Sequence, residues 1–372
     1  MKRLVFFFAI CLLILACQFG SDVAPTTQPF TAVPSGVTGT PSTLTDIPMQ
    51  IGYGVSGPWF ELYFTDPTSP AKKQETGGPD GPLVASLDSA RVAIDMAAYS
   101  LNLKDVESSL LHAKQRGVQV RLVMESDDMN TTEVKALQAA NVPIVGDHLA
   151  GLMHNKFVVI DRSEVWTGSM NYTESGTYSD NNNLMHIRST QVADDYETEF
   201  DQMFVDHKFG SHLVSETPHP SVIIDGTPLN IYFSPADHIQ AALLPLINHA
   251  QSSIYFLAYS FTADPLGNAI RQRAAAGVKV EGVMETDQVK TDVGTEYDAF
   301  RKAGLDVHED GNPGLMHHKV FIIDGQMVVT GSYNFTASAE KSNDENLVVI
   351  DNPEIAAQFM KEFQRVYAVA QP

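Results

Sequence analysis

Two sets of reactive side chains recur in this chain at the same spacing. The first is His154-Asn155-Lys156, Asp161 and Gly168-Ser169-Met170-Asn171; the second is His317-His318-Lys319, Asp324 and Gly331-Ser332-Tyr333-Asn334. Four residues separate Lys from Asp and six separate Asp from Gly in both sets. On an extended strand residues i and i+2 face the same side, so each imidazole points together with its ammonium. An imidazole attacks as a nucleophile or exchanges a proton near neutral pH, and an ammonium holds a negatively charged oxygen. Two such pairs facing one another would supply an attacking ring, a ring to give and take protons, and two cations for an anionic centre.

The elements that position these groups are themselves repeated. Leu62-Tyr63-Phe64-Thr65 returns as Ile231-Tyr232-Phe233-Ser234, Ala98-Tyr99-Ser100 as Ala258-Tyr259-Ser260, and Val123-Met124-Glu125-Ser126-Asp127 as Val283-Met284-Glu285-Thr286-Asp287. Gly151-Leu152-Met153-His154 returns as Gly314-Leu315-Met316-His317. The order is kept throughout, so the chain carries two copies of a domain-sized unit rather than a solenoid repeat. Within each copy, short apolar runs (92–98, 118–124 and 157–160; 254–258, 278–284 and 320–323) read as buried strands. Amphipathic helices are predicted over 106–115 and 265–275, ending at Gly117 and Gly277, then over 133–140 and 297–303, with a late helix at 193–204 and 353–367. This is an α/β class of fold, with a mainly parallel or mixed sheet flanked by helices in each half.

The duplicated His-x-Lys, Asp and Gly-Ser-x-Asn pattern resembles the phospholipase D superfamily, over residues about 58–368. The resemblance implies two halves related by a pseudo-twofold, with the active site at their interface. It implies phosphodiester chemistry without metal or cofactor: one histidine attacks phosphorus to give a phosphohistidine, and the other protonates the leaving oxygen and then deprotonates water or an alcohol. Lys156 and Lys319 would clamp the phosphoryl oxygens, with Asn171 and Asn334 as further donors. Asp161, Asp324, Ser169, Ser332, Gly168 and Gly331 would support the motifs. The family also places an acidic or amide partner behind each histidine. Glu345 lies twenty-eight residues after His317, and Asn182 lies twenty-eight after His154. Pairing each partner with the histidine of its own half puts the amide behind His154. A carboxylate favours an imidazolium and an amide leaves the ring neutral, so this pairing makes His154 the nucleophile and His317 the general acid/base.

Other residues read more plainly. His318 occupies the x position and faces the opposite way, and the remaining histidines lack metal-ligand pairing, so all are expected to be structural. Tyr99 and Tyr259 read as core. Glu125, Asp127, Glu285 and Asp287 read first as caps at strand ends, and second as an acidic rim.

The N-terminus has a different character. Met1-Lys2-Arg3 precedes an apolar run of thirteen residues, Leu4 to Ala16, which ends Ile14-Leu15-Ala16-Cys17. The run is too short to span a bilayer as a helix and reads as an export signal. Its end resembles a bacterial lipobox, implying lipidation of Cys17 after loss of residues 1–16. Residues 17–57, rich in Ser, Thr, Pro and Gly, read as a solvated tether. The remainder divides into halves at 58–212 and 229–372, joined by a polar linker at 213–228. The chain is thus expected to be a lipoprotein of the cell envelope.

Composition narrows the function. Of the 372 residues, 45 are Asp or Glu and 24 Lys or Arg, and a net charge of −21 disfavours a broad polyanion-binding surface. With its 2 cysteines at positions 11 and 17, the exported chain has no structural disulfide. The expected function is hydrolysis, or transfer to an alcohol, of phospholipid head-group diesters. An endonuclease-type activity on DNA or RNA is the alternative, because 258–263 and 331–336 resemble the small bacterial endonuclease branch; a non-catalytic surface binding protein is the third. Both motifs in one chain make a monomer sufficient.

Overall fold

The computed structural model describes residues 44–371, so the export signal, Cys17 and most of the expected tether lie outside the described residues. The first half runs β1 (Thr45–Ile47), β2 (Tyr53–Ser56), β3 (Phe60–Phe64), α1 (Asp80–Ser89), β4 (Ala93–Ala98), α2 (Lys104–Gln115), β5 (Gln119–Met124), α3 (Thr132–Ala139), β6 (Ile144–Gly146), β7 (Lys156–Ile160), β8 (Glu164–Gly168), α4 (Glu174–Tyr178), β9 (Asn183–Arg188) and α5 (Thr190–Phe204). The second runs β10 (Ser221–Ile224), β11 (Thr227–Ser234), α6 (Ile239–His249), β12 (Ser253–Ala258), α7 (Asp264–Ala275), β13 (Lys279–Met284), α8 (Thr286–Thr291), α9 (Tyr297–Lys302), β14 (Asp306–Glu309), β15 (Lys319–Ile323), β16 (Met327–Gly331), α10 (Ala337–Lys341), β17 (Glu345–Asp351) and α11 (Pro353–Tyr367).

Among the described residues these strands form two sheets, ordered β1-β2-β3-β9-β8-β7-β4-β5-β6 and β10-β11-β17-β16-β15-β12-β13-β14. The order of the last seven strands is the same in both, which is the repeat expressed as topology. Each sheet is mixed. Helical crossovers make β4-β5-β6 and β12-β13-β14 parallel, whereas hairpins and returns make the other pairs antiparallel.

Two boundaries differ from expectation. Residues 45–56 are not tether: β1 and β2 extend the first sheet through pairs such as Thr45 with Ser56 and Tyr53 with Phe64. Likewise the second part of the expected linker is β10, which pairs with β11. Polar, glycine-containing sequence suits an edge strand with one wet face as well as it suits a tether.

The late helices explain how the halves join. Ser189 caps α5 and Asn352 caps α11, each with a side-chain oxygen accepting backbone N–H bonds of the first turn. Their apolar faces (Val192, Tyr196, Phe200; Ile355, Phe359, Phe363) share one buried core with residues of both sheets, including Phe157, Met185, Val320 and Val348. The outer face of the first sheet packs separately against α1, α2 and α3 through Leu83, Leu110 and Leu137. A polar seam also crosses between the halves. Thr167 Oγ1 donates to Asn346 Oδ1 at 2.7 Å and Asn346 Nδ2 to Asn155 Oδ1 at 2.9 Å. In the related place Thr330 Oγ1 donates to Asn183 Oδ1, and Asn183 Nδ2 donates to His318 Nδ1. His318 Nε2 then faces Glu362 at 2.9 Å, so this histidine is structural and buried.

Asp161 and Asp324 bind backbone at the start of a neighbouring strand. The Asp161 carboxylate accepts from the backbone N–H groups of Arg91, Val92 and Ala93, and Asp324 accepts from Gln251, Ser252 and Ser253. Each ties the turn after the His-x-Lys strand to the start of β4 or β12. Burial pushes the Asp324 carboxyl up, but these hydrogen bonds outweigh it and hold it below the usual range. The lowered value means that its stabilisation is present above about pH 3.9 and is lost as the pH falls through the folded value. Asp324→Ala is expected to cost about 1–2 kcal/mol by thermal melting near neutral pH, with no change in turnover per folded molecule. A loss of turnover without a loss of stability would place Asp324 in the chemistry instead.

Candidate active site

Each motif histidine sits just before its strand and is held there by the other half. Met153 bridges Asp344 and Met316 bridges Asn181 in parallel pairing. His154 donates its N–H to Asp344 O and His317 its N–H to Asn181 O, both at 3.0 Å; Asp344 and Asn181 return N–H bonds to Leu152 O and Leu315 O. This approach needs glycine. A Cβ on Gly151 would lie 2.1 Å from Ser342 O, and one on Gly314 would lie 2.1 Å from Ser179 O. Gly168 and Gly331 are required as well: at φ +153 and +148 they bring the ends of β8 and β16 against Asn183 O and Asn346 O.

The crossing strands carry side chains across with them. His154 Nδ1 lies 2.7 Å from Glu345 Oε2, and His317 Nδ1 lies 3.0 Å from Asn182 Oδ1 and 3.1 Å from Ser169 O. The partners are therefore exchanged between halves, contrary to the pairing expected within each half. The starts of β9 and β17 face the opposite copy, which spacing along one copy does not reveal. The original reason for making His154 the nucleophile, an amide behind it, falls with that pairing.

The hydrogen bonds fix the rings. Asn182 Nδ2 donates to Gly176 O and its Oδ1 accepts from Ser169 Oγ, so Oδ1 is the atom facing His317. Both acceptors beside His317 require a proton on Nδ1, which leaves Nε2 for the cleft. On the other side, Ser332 Oγ accepts the N–H of Asn346, next to Glu345. Ser169 and Ser332 thus order the partners of the histidines.

Lys156 Nζ donates to His154 O at 2.6 Å and Lys319 Nζ to His317 O at 2.8 Å. They lie over the rings of Tyr99 and Tyr259, at 5.0 and 4.6 Å from the centroids, and these rings also meet the imidazoles edge-on. The two tyrosines are half-buried members of the site rather than core. Their recurrence in the Ala-Tyr-Ser repeat was the available signal. Asn171 and Asn334 are half-buried, each with an amide oxygen that no protein group pairs.

Electrostatically the cleft is loaded against itself. His154 is 6 % exposed, His317 5 %, and each lysine 1 %. Burial, with the two ammoniums second, pushes both imidazoles well below their usual value. Burial brings Lys156 down to about 7 and Lys319 also far down, while Glu345 is pushed up to about 8. A bound anion would relieve the crowding of cations, which is what a phosphodiester site requires.

Surrounding acids act mainly on the backbone. Glu125 accepts from Asp127 N and Met153 N, and Glu285 accepts from Gln288 N, so both cap as expected. Among the described residues no group of three or more His, Cys, Asp or Glu is arranged to hold a metal ion. His186 is structural, stacked on Trp166 and 2.9 Å from Glu164.

Fold, duplication and paired His-Lys sets are those of the phospholipase D superfamily. Residues 83–204 and 243–367 each match the family described as "Cardiolipin synthase, PLD-like domain", and the chain belongs to that family. It is 33% identical over 130 residues to the mitochondrial cardiolipin hydrolase of Homo sapiens, covering 35% of this chain and 51% of that protein. It is 36% identical over 117 residues to a phospholipase D of Rickettsia conorii, covering 32% of this chain and 58% of that protein. The match thus spans about half the length of these relatives. In fold it is similar to phosphatidylserine synthase of Haemophilus influenzae, with a TM-score of 0.62 at 11% identity over 81% of this chain and 84% of that one.

Proposed function

We propose that the chain is a phospholipase D-type phosphodiesterase that cleaves phospholipid head-group diesters through a covalent phosphohistidine, without a metal. The observation that carries this reading is the single cleft in which two buried His-Lys pairs, one from each half, are each completed by the other half. Lys156 and Lys319 supply the cations that neutralise the non-bridging oxygens, with the Asn171 and Asn334 amides beside them. The relatives named phospholipase D and cardiolipin hydrolase support a lipid substrate, as does an acidic body with net charge −21.

His154 is the nucleophile, on a different argument from the one its sequence suggested. Phosphorylation at Nε2 leaves a positive ring, and the Glu345 carboxylate on Nδ1 stabilises it. His317 acts as the imidazolium that a bound phosphate anion favours in this cleft: with Nδ1–H held by neutral acceptors, it donates its Nε2 proton to the leaving oxygen and takes one back from the incoming water or alcohol. The export signal and Cys17 would hold the enzyme at an envelope membrane, beside its substrate.

The test compares vesicles of phosphatidylcholine, phosphatidylethanolamine or cardiolipin with single-stranded DNA, in excess chelator. Head-group release by wild type, lost in both His154→Ala and His317→Ala, is the expected result. Chelator-sensitive turnover would overturn the metal-free mechanism, and cleavage of DNA alone would overturn the lipid reading.

A further inference from the structure

The cleft is built from two copies of one unit, and its motif residues are the same on both sides. Imidazole faces imidazole, ammonium faces ammonium, and Tyr99 matches Tyr259. Serine lies behind each side, at Ser169 and Ser332. By itself such a site has no direction: either ring could attack, and a diester could seat either way round. Behind the rings the copies differ over three aligned positions, Asp180-Asn181-Asn182 against Asn343-Asp344-Glu345. The last of these sets its side chain on the imidazole, Glu345 on His154 and Asn182 on His317, a carboxylate against an amide one methylene shorter.

We propose that the Glu345/Asn182 pair sets the polarity of the active site, deciding which histidine is phosphorylated and toward which side the leaving group departs. The inference rests on the phosphohistidine reading given above and concerns positioning residues that act through the rings. In the forward direction the His154 Nε2 lone pair forms a bond to phosphorus. The P–O bond to the leaving group breaks, and that oxygen takes the proton from His317 Nε2. Water then attacks phosphorus and gives its proton to His317 Nε2, and the P–N bond returns its electrons to His154. The phosphorylated ring is positive only in the intermediate and its flanking transition states. A carboxylate behind it therefore stabilises the covalent state selectively. The amide behind His317 accepts from Nδ1–H without adding charge, so the ring, charged when the diester anion is bound, gives up its Nε2 proton readily. It is held firmly in that role, since Gly176 O takes its Nδ2 and Ser169 Oγ donates to its Oδ1. Two like copies make a site that either ring could run, and a carboxylate set against an amide selects between them.

Exchanging the carboxylate and the amide should reverse the machine. Both changes, Glu345→Gln and Asn182→Asp, keep side-chain shape, and the second gives up the bond that Asn182 Nδ2 donates to Gly176 O. The substrate is bis(4-nitrophenyl) phosphate, a symmetric diester that can react whichever way it seats. The reaction is quenched in alkaline denaturant, where a phosphohistidine survives, and the labelled ring is located by peptide mass spectrometry. Wild type is expected to carry label on His154 over His317 by about tenfold, the difference between a charged and a neutral hydrogen bond. The double exchange is expected to invert that ratio, and Asn182→Asp alone to place comparable label on both. Melting curves verify that each variant is folded, and the single variant keeps the test open should the double one fail to fold. Label that stays on His154 in the folded variants overturns the proposal and leaves the phosphohistidine reading intact. Label on His317 in wild type overturns the polarity. A wild-type enzyme that turns over without label on either ring overturns the phosphohistidine reading, and the proposal with it.

Discussion

His154→Ala is expected to lower phosphodiester turnover by a factor on the order of 10^4 to 10^6, the scale on which removal of a covalent nucleophile acts. The ring is 6 % exposed, its Nδ1 is held by Glu345 and its backbone is pinned by Asp344, and without it His317 would have to serve as nucleophile and proton carrier at once. His317→Ala should behave differently with an activated ester. A 4-nitrophenolate leaves without a proton, so the first step survives, while attack of water on the intermediate slows by roughly 10^2 to 10^4. Stopped-flow absorbance would then show a burst of about one equivalent followed by a nearly flat phase. A burst in His154→Ala with none in His317→Ala would reverse the division of labour.

The second large effect concerns glycine rather than a reactive group. Gly151→Ala forces a methyl into Ser342 O, and Gly314→Ala does the same at Ser179 O, each on the bridge that holds a histidine to the opposite half. Neither contact is with a flexible side chain, so the backbones separate. Each variant is expected to lose about 1–3 kcal/mol of stability and most of its turnover, because the same shift moves an imidazole from its partner. Gly81, inside α1 with nothing within 4 Å of an added Cβ, is the control. Gly81→Ala should raise the melting temperature slightly and leave turnover alone. Full activity in Gly151→Ala would show that the close bridge is dispensable.

Much of this was legible because it is local. The His-x-Lys, Asp and Gly-Ser-x-Asn sets are short and rigidly spaced, and their repetition exposes the two halves. The helices at α2, α7, α5 and α11 followed from their apolar periodicity. What escaped was long-range or polar. Glu345 and Asn182 align at the same offset within each copy, and nothing along the chain says that each serves the histidine of the other copy. β9 is interrupted by a polar His186, which the fold buries between Glu61 and Glu164. β1 and β2 were hidden in Ser-, Thr- and Gly-rich sequence whose strand identity comes from pairing with β3. Tyr99 and Tyr259 read as core because an aromatic beside a buried strand usually is; the lysines that lie over them are more than fifty residues away in sequence.

The exchange of partners across the halves also bears on inheritance. In an ancestor with one motif per chain, a change in the residue behind the histidine would alter both sides of a symmetric pair at once. In a fused chain position 182 can hold an amide while position 345 holds an acid, and each copy is the custodian of the other's reactive ring. Neither half is a spare. His154 and Glu345 stand 191 positions apart in sequence, so a change in either copy acts on the chemistry of the other.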